Sequence, residues 1–126
     1  MNLGFIGTGN IVSDVVTGII KSKFSYKKII ISPRNKKKAN YLKKKFKKII
    51  IAKDNQEVID LSDWIFLGVL PKVGENILPK LNFKKNQTVI SFMSTTNYPR
   101  LKKIIGKKVT IVRAIPMPPI RLCKGP

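Results

Sequence analysis

The sequence has no histidine, one cysteine (Cys123), one tryptophan (Trp64) and only six acidic residues among 126. Each scarcity removes a class of chemistry. Without histidine and with one thiol, neither a zinc site nor a nucleophile–base pair built on His or Cys can be assembled, so no metal is expected. The lone cysteine also excludes an internal disulfide. No run approaches the roughly 18 apolar residues of a membrane span. Met1 to Ile6 shows no basic stretch leading into an apolar one of about 7 to 15 residues. A soluble, cytoplasmic protein without a membrane partner is expected. At 126 residues and 43% apolar content the chain has room for one modest core, so a complete two-domain enzyme does not fit.

The shortage of acid leaves 26 Lys and Arg nearly unopposed, for a formal net charge of +20. Such a charge attracts polyanions. Lys, Ile and Asn, however, share A/T-rich codons, and nucleotide bias supplies such an excess without a polyanion partner. The run from Lys36 to Phe46 fits that account. Ala39, Leu42 and Phe46 recur at spacings of three and four, one buried helix stripe with lysines around the rest. There is no zinc-finger spacing and no RNA-binding aromatic motif, so specific nucleic-acid binding is not expected. A basic, non-catalytic polyanion binder stays open as an alternative.

Short apolar runs alternate with amphipathic stretches, the pattern of a parallel sheet wrapped by helices. Leu3–Ile6 reads as a strand, Asn10 to about Lys21 as a helix with Ile11, Val15 and Ile19 on one face, and Ile29–Ile31 as a second strand. The lysine-rich helix precedes a strand at Ile49–Ala52. A short helix follows, opened by Asp54 with Glu57 at the capping-box spacing. Trp64–Val69 reads as a strand buried on both faces and stopped by Pro71, with a helical piece from Val73 to Leu78. Thr88–Phe92, a helix capped by Asn97 and running through Ile105, and Val109–Ala114 complete the pattern. The expected fold is α/β, a Rossmann-like, doubly wound, mainly parallel sheet of about six strands with helices on both faces. Residues 1–114 form the expected dinucleotide-binding domain, and 115–126 a proline-rich exit segment that leaves the sheet.

Gly7-Thr8-Gly9 lies between the first strand and the first helix, the context in which paired glycines bind a dinucleotide. The first permits the tight turn. The second lets the pyrophosphate approach the backbone, and the helix start at Asn10 and Ile11 offers unpaired N–H groups. Val12 stands where the fingerprint has a third small residue, which implies a slightly lifted helix. After the second strand, an acid would bond the adenosine ribose 2′-hydroxyl and repel a 2′-phosphate. Ser32-Pro33-Arg34-Asn35 offers instead a hydroxyl, a guanidinium and an amide, with Lys36 to Lys38 raising the potential, so NADP (NADPH) is the expected cofactor.

Gly4-Phe5-Ile6-Gly7-Thr8-Gly9-Asn10-Ile11 resembles the opening of pyrroline-5-carboxylate reductases. Asp54-Asn55, Phe66-Leu67-Gly68-Val69-Leu70-Pro71 and Val112-Arg113-Ala114-Ile115-Pro116-Met117-Pro118-Pro119 resemble later family segments in matching order. The resemblance implies that Asn55 contacts the cofactor and that Val69, Leu70 and Pro71 lie beside the nicotinamide. It implies hydride transfer from NADPH to the C=N bond of 1-pyrroline-5-carboxylate, or of a related cyclic imine, in proline biosynthesis. Leu70 stands where the family carries lysine, and Met117 where it carries asparagine. The family also continues into a helical domain that forms a homodimer or higher oligomer and builds the substrate site, so this chain is expected to be truncated and inactive alone. No proton donor is identified. The NADP-binding half of another dehydrogenase, one acting on hydroxy acids or on a deazaflavin, fits the same residues.

Overall fold

The computed structural model describes residues 1–7 and 9–116. Six strands form one sheet: β1 (Asn2–Ile6), β2 (Lys28–Ile31), β3 (Ile49–Ile51), β4 (Trp64–Leu67), β5 (Thr88–Ser91) and β6 (Thr110–Arg113). Their order is β3-β2-β1-β4-β5-β6 and every pairing is parallel. Five α-helices connect them: α1 (Asn10–Lys21), α2 (Lys36–Lys45), α3 (Asn55–Asp60), α4 (Pro71–Ile77) and α5 (Tyr98–Ile105), with a 3-10 turn at Leu78–Lys80. This is the Rossmann arrangement that the alternation of apolar runs predicts.

Successive strand side chains point to opposite faces, so a strand buried on both sides must be apolar at consecutive positions. Leu3, Phe5, Ile29, Ile31, Phe66 and Ile90 share one core with Val12, Val15 and Val16 of α1 and Ala39 and Leu42 of α2. Ile6, Ile30, Ile65, Leu67 and Val89 face the opposite core, with Val58 and Ile59 of α3 and Leu78. The expected lysine-coated helix is α2, anchored by Ala39 and Leu42, which are 1% and 0% exposed.

Several boundaries differ from the sequence reading. β4 stops at Leu67, because Gly68 and Val69 leave the ladder to enter α4, and α4 begins at Pro71 rather than Val73. Proline suits a first helical position: its ring fixes φ, and its missing N–H would have no intrahelical partner there. The β5 and β6 strands are each shorter than expected, ending at Ser91 and Arg113. No helix among the described residues is long and apolar enough to cross a membrane.

Candidate cofactor site

The strand order reverses between β1 and β4, and open parallel sheets bind ligands at the carboxyl edge of such a switch point. Gly7 leaves β1 there with φ of 100°. A side chain would be strained by that backbone and would also collide, since a Cβ would lie 2.5 Å from the Gly68 carbonyl oxygen. The turn is fixed from below. Ser32, 1% exposed, accepts a hydrogen bond from the Gly7 N–H through its Oγ at 3.1 Å, and its own N–H donates to the Phe5 carbonyl at 3.0 Å.

Gly9 is the N-cap of α1 and differs from Gly7 in every respect. Its φ is −76°, which any residue adopts, and a Cβ there would meet no atom within 4 Å. Neither backbone geometry nor internal packing requires glycine at this position. Among the described residues no side chain caps α1, and its first turn carries no acid. By contrast, α2, α3 and α5 are capped by Asn35, Asp54 and Asn97. The first-turn N–H groups of α1 therefore stay available, with the partial positive charge of a 12-residue helix behind them.

Gly68 builds the second wall. Its N–H donates to the Ile6 carbonyl at 2.8 Å, which holds the start of the β4–α4 link against β1. A Cβ on Gly68 would overlap Cγ2 of Val12, which is fully buried. The small residue missing from position 12 is thus supplied across the sheet, and the valine fits because its neighbour has no side chain. Sequence reasoning gives Gly68 no role at the site. Its position at the end of the strand paired with β1 is the signal that could have revealed it.

Together these elements enclose a cavity of about 370 Å³ lined by Gly7, Gly9, Arg34, Asn35, Gly68, Val69, Leu70 and Val73. Six of the residues expected at a cofactor site thus share one cavity. Asn10 and Ile11 begin α1 at its edge, and Pro71 begins α4 just beyond Leu70. Ser32 lies beneath the turn with its oxygen engaged by Gly7, and Asn55, the first residue of α3, is not on the lining. Asn35 caps α2, its Oδ1 accepting from the Lys38 N–H at 3.1 Å. The exposed Arg34 side chain has no hydrogen bond or ion pair among the described residues. Thr8 and Met117 lie outside the described residues.

A family model described as NADP oxidoreductase, coenzyme F420-dependent, matches residues 2–95, from the start of β1 to just past β5. The chain belongs to this family. The chain is also similar to proteins named pyrroline-5-carboxylate reductase. Pyrroline-5-carboxylate reductase 3 of Danio rerio is 29% identical over 99% of this chain and 44% of its own length. The solved pyrroline-5-carboxylate reductase of Coxiella burnetii superposes with a TM-score of 0.85 at 27% identity, over 96% of this chain and 46% of that one. The pyrroline carboxylate reductase of Plasmodium falciparum, solved with NADP bound, has the same fold at a TM-score of 0.81 and 22% identity, over 97% of this chain and 44% of that one. The chain spans less than half the length of these relatives.

Proposed function

We propose that the chain is the NADPH-binding part of a reductase of the pyrroline-5-carboxylate type, acting on the C=N bond of 1-pyrroline-5-carboxylate or a related cyclic imine. The observation that carries the reading is Gly9. It is a glycine with no internal reason to be one, at the mouth of a cavity between the start of α1 and a guanidinium that has no hydrogen bond or ion pair among the described residues. Space kept clear at that point is what a pyrophosphate needs to reach the N–H groups of Asn10 and Ile11. The residues fit the cofactor: Gly7 and Gly9 stand under the pyrophosphate, and Arg34 with Asn35 takes the adenosine end. Ser32 contributes by holding Gly7, and Asn55 stands at the same sheet edge.

Val69, Leu70 and Pro71 flank the nicotinamide end in this reading. NADPH bound there supplies a hydride to the imine carbon. No lining residue of the cavity is a carboxylic acid or a thiol, so these side chains position and desolvate rather than transfer protons. The imine nitrogen takes its proton from solvent or from chain beyond the described residues.

Residues 1–114 are the dinucleotide-binding domain, and 115–126 lead toward a helical, dimer-forming domain that completes the substrate site. A groove of about 440 Å³ supports that division. It is lined by Trp64, Phe66, Ile90, Phe92 and Ile115 among others, on the face where only α1 and α2 contribute helical residues to the core. Work in the cytoplasm and a homodimeric whole belong to the same reading.

The test is calorimetric titration with NADPH. The wild-type chain should bind it, and Gly9→Ala should lose at least about tenfold in affinity while its melting temperature stays within a few degrees, because the new methyl group meets only the cavity. A folded Gly9→Ala chain with unchanged affinity, or a wild-type chain that binds no NADPH at millimolar concentration, refutes the proposal.

A further inference from the structure

Every strand of a parallel sheet begins at the same edge, here the one opposite the cofactor cavity. Two lysine pairs meet there. Lys84-Lys85 precedes β5, Lys107-Lys108 precedes β6, and the pairing of Thr88 with Thr110 at the start of these strands sets the two entry loops side by side. With Phe83 and Asn86 they line a basin of about 710 Å³. The first of the loops is held firmly. Gln87, 6% exposed, donates through Nε2 to the Ile59 and Ser62 carbonyls at 2.7 and 2.9 Å, and its Oε1 accepts from the Lys84 N–H at 2.7 Å. Asn86 turns the chain with φ of 73°, a left-handed conformation that asparagine tolerates better than most residues. Phe83 packs half-buried against the second core while its remaining surface lines the basin. A ring and several ammonium groups thus stand on fixed backbone, which lowers the ordering cost of binding.

Lysines at helix ends have a use inside the fold. Lys102 and Lys103 close α5, where cations complement the carbonyl end, and Lys102 stands 5.6 Å from the centre of the Tyr98 ring. The basin lysines have no such use. Lys107 and Lys108 lie past the Gly106 cap of α5, and among the described residues the exposed side chains of Lys85, Lys107 and Lys108 make no hydrogen bond or ion pair. Of the four, Lys84 alone has an acid partner among the described residues, Asp60 at 3.5 Å. Codon bias accounts for the number of lysines but not for their gathering around an aromatic ring. We propose that this basin binds single-stranded nucleic acid without sequence preference, with Lys85, Lys107 and Lys108 on backbone phosphates and one base stacked on Phe83. A duplex offers the phosphates but keeps its base faces stacked. A lipid surface offers phosphates in a plane, with nothing to lay on a ring inside a basin. Lys27-Lys28 and Lys47-Lys48, which enter β2 and β3, continue the same edge. Asp63, just before β4, lies between the two groups with its carboxylate accepting from the Asn2 N–H at 2.7 Å. The cofactor cavity is at the other edge of the sheet, so this inference and the proposed function fail separately.

The experiment follows the fluorescence anisotropy of a labelled oligothymidylate of about 20 nucleotides on the full chain at about 0.15 M salt. Wild type should bind it with a micromolar Kd. Lys107→Gln with Lys108→Gln should weaken it at least about tenfold and reduce the slope of log affinity against log salt by about 1.4, the share of two phosphate contacts to a single strand. Lys53→Gln with Lys72→Gln, the same charge change on exposed lysines at the opposite edge, should stay within about twofold. Phe83→Leu should weaken oligothymidylate about threefold to fivefold and leave inorganic polyphosphate, which has no base, unchanged. Equal losses in the two double variants reduce the binding to general charge and overturn the inference. Equal losses of oligothymidylate and polyphosphate in Phe83→Leu, or no loss of either, overturn the stacked base. Wild type that binds vesicles of equal parts phosphatidylcholine and phosphatidylserine but not oligothymidylate overturns the inference in favour of a membrane. A chain that binds NADPH and no oligothymidylate overturns this inference alone, and one that binds oligothymidylate through Lys107 and Lys108 but no NADPH overturns the proposed function alone.

Discussion

The fit of Val12 against Gly68 makes a quantitative prediction about a pair of residues 56 positions apart. Gly68 has no positive φ, so alanine is sterically allowed by its backbone, and the whole cost of Gly68→Ala comes from the overlap of its Cβ with Val12 Cγ2. Overpacking a dense core by one methyl group typically costs about 1–3 kcal/mol. Val12→Ala has the opposite defect. It deletes two methyl groups from a fully buried site, a loss of about 1.5–3 kcal/mol from transfer and cavity terms. In the double variant the two errors cancel. With Cγ2 gone, the next atoms to the methyl group added at position 68 are Val12 Cβ at 3.6 Å and the Ile6 carbonyl oxygen at 3.7 Å, both ordinary contacts. The net change is one methyl group lost, about 0.5–1.5 kcal/mol.

The coupling energy is therefore about 2 kcal/mol or more in favour of the pair, well above the roughly 0.5 kcal/mol within which independent sites add. Urea unfolding followed by the fluorescence of Trp64, the sole tryptophan, on the half-buried first position of β4, reads all four proteins. Additive single variants, or a Gly68→Ala cost below about 0.5 kcal/mol, would refute the idea that Gly68 makes room for Val12.

Two further outcomes follow from the same geometry. Ser32→Ala leaves the Gly7 N–H without its acceptor in a part-buried position and should cost about 1–3 kcal/mol in urea unfolding, together with a measurable loss of NADPH affinity; no change in either would place the turn's rigidity elsewhere. Salt should stabilise the chain, because a net charge of +20 repels itself and six acidic residues cannot neutralise 26 Lys and Arg. Raising sodium chloride from about 0.01 M to about 0.5 M shortens the Debye length from about 30 Å to under 10 Å. The melting temperature should climb by at least about 3 °C, against a flat or falling curve if the lysines were internally compensated.

The isoleucine runs of β2 and β3 were legible as strands because double-sided burial leaves no alternation to confuse with a helix. The α1 helix was legible through its period, and Asp54 and Asn97 were legible as caps because both accept from the backbone three residues on. Local chemistry determines such features. Ser32 was harder: a hydroxyl at a strand end next to a basic turn reads as a ligand contact, yet the strand's twist and the depth of the Gly7 turn direct its oxygen inward. Asn35 offered an amide to the cofactor and also caps α2, since both uses need the same short polar side chain at the same bend.

Gly68 and the hydrogen bond that Lys38 Nζ donates to Asn10 Oδ1 at 2.6 Å were illegible for a different reason. Each depends on which elements become neighbours after a crossover, and no window of sequence contains both partners. The dinucleotide fingerprint is normally written as one contiguous string, with its third small residue inside the first helix. Here the requirement is met by subtraction on the facing strand, so Val12 breaks the string without breaking the packing. The physical constraint is that the start of α1 and the end of β4 approach closely; which of the two surfaces surrenders its side chain is interchangeable. The same substitution that disqualifies position 12 in a pattern search should therefore be tolerated wherever glycine occupies the residue after β4, and only there.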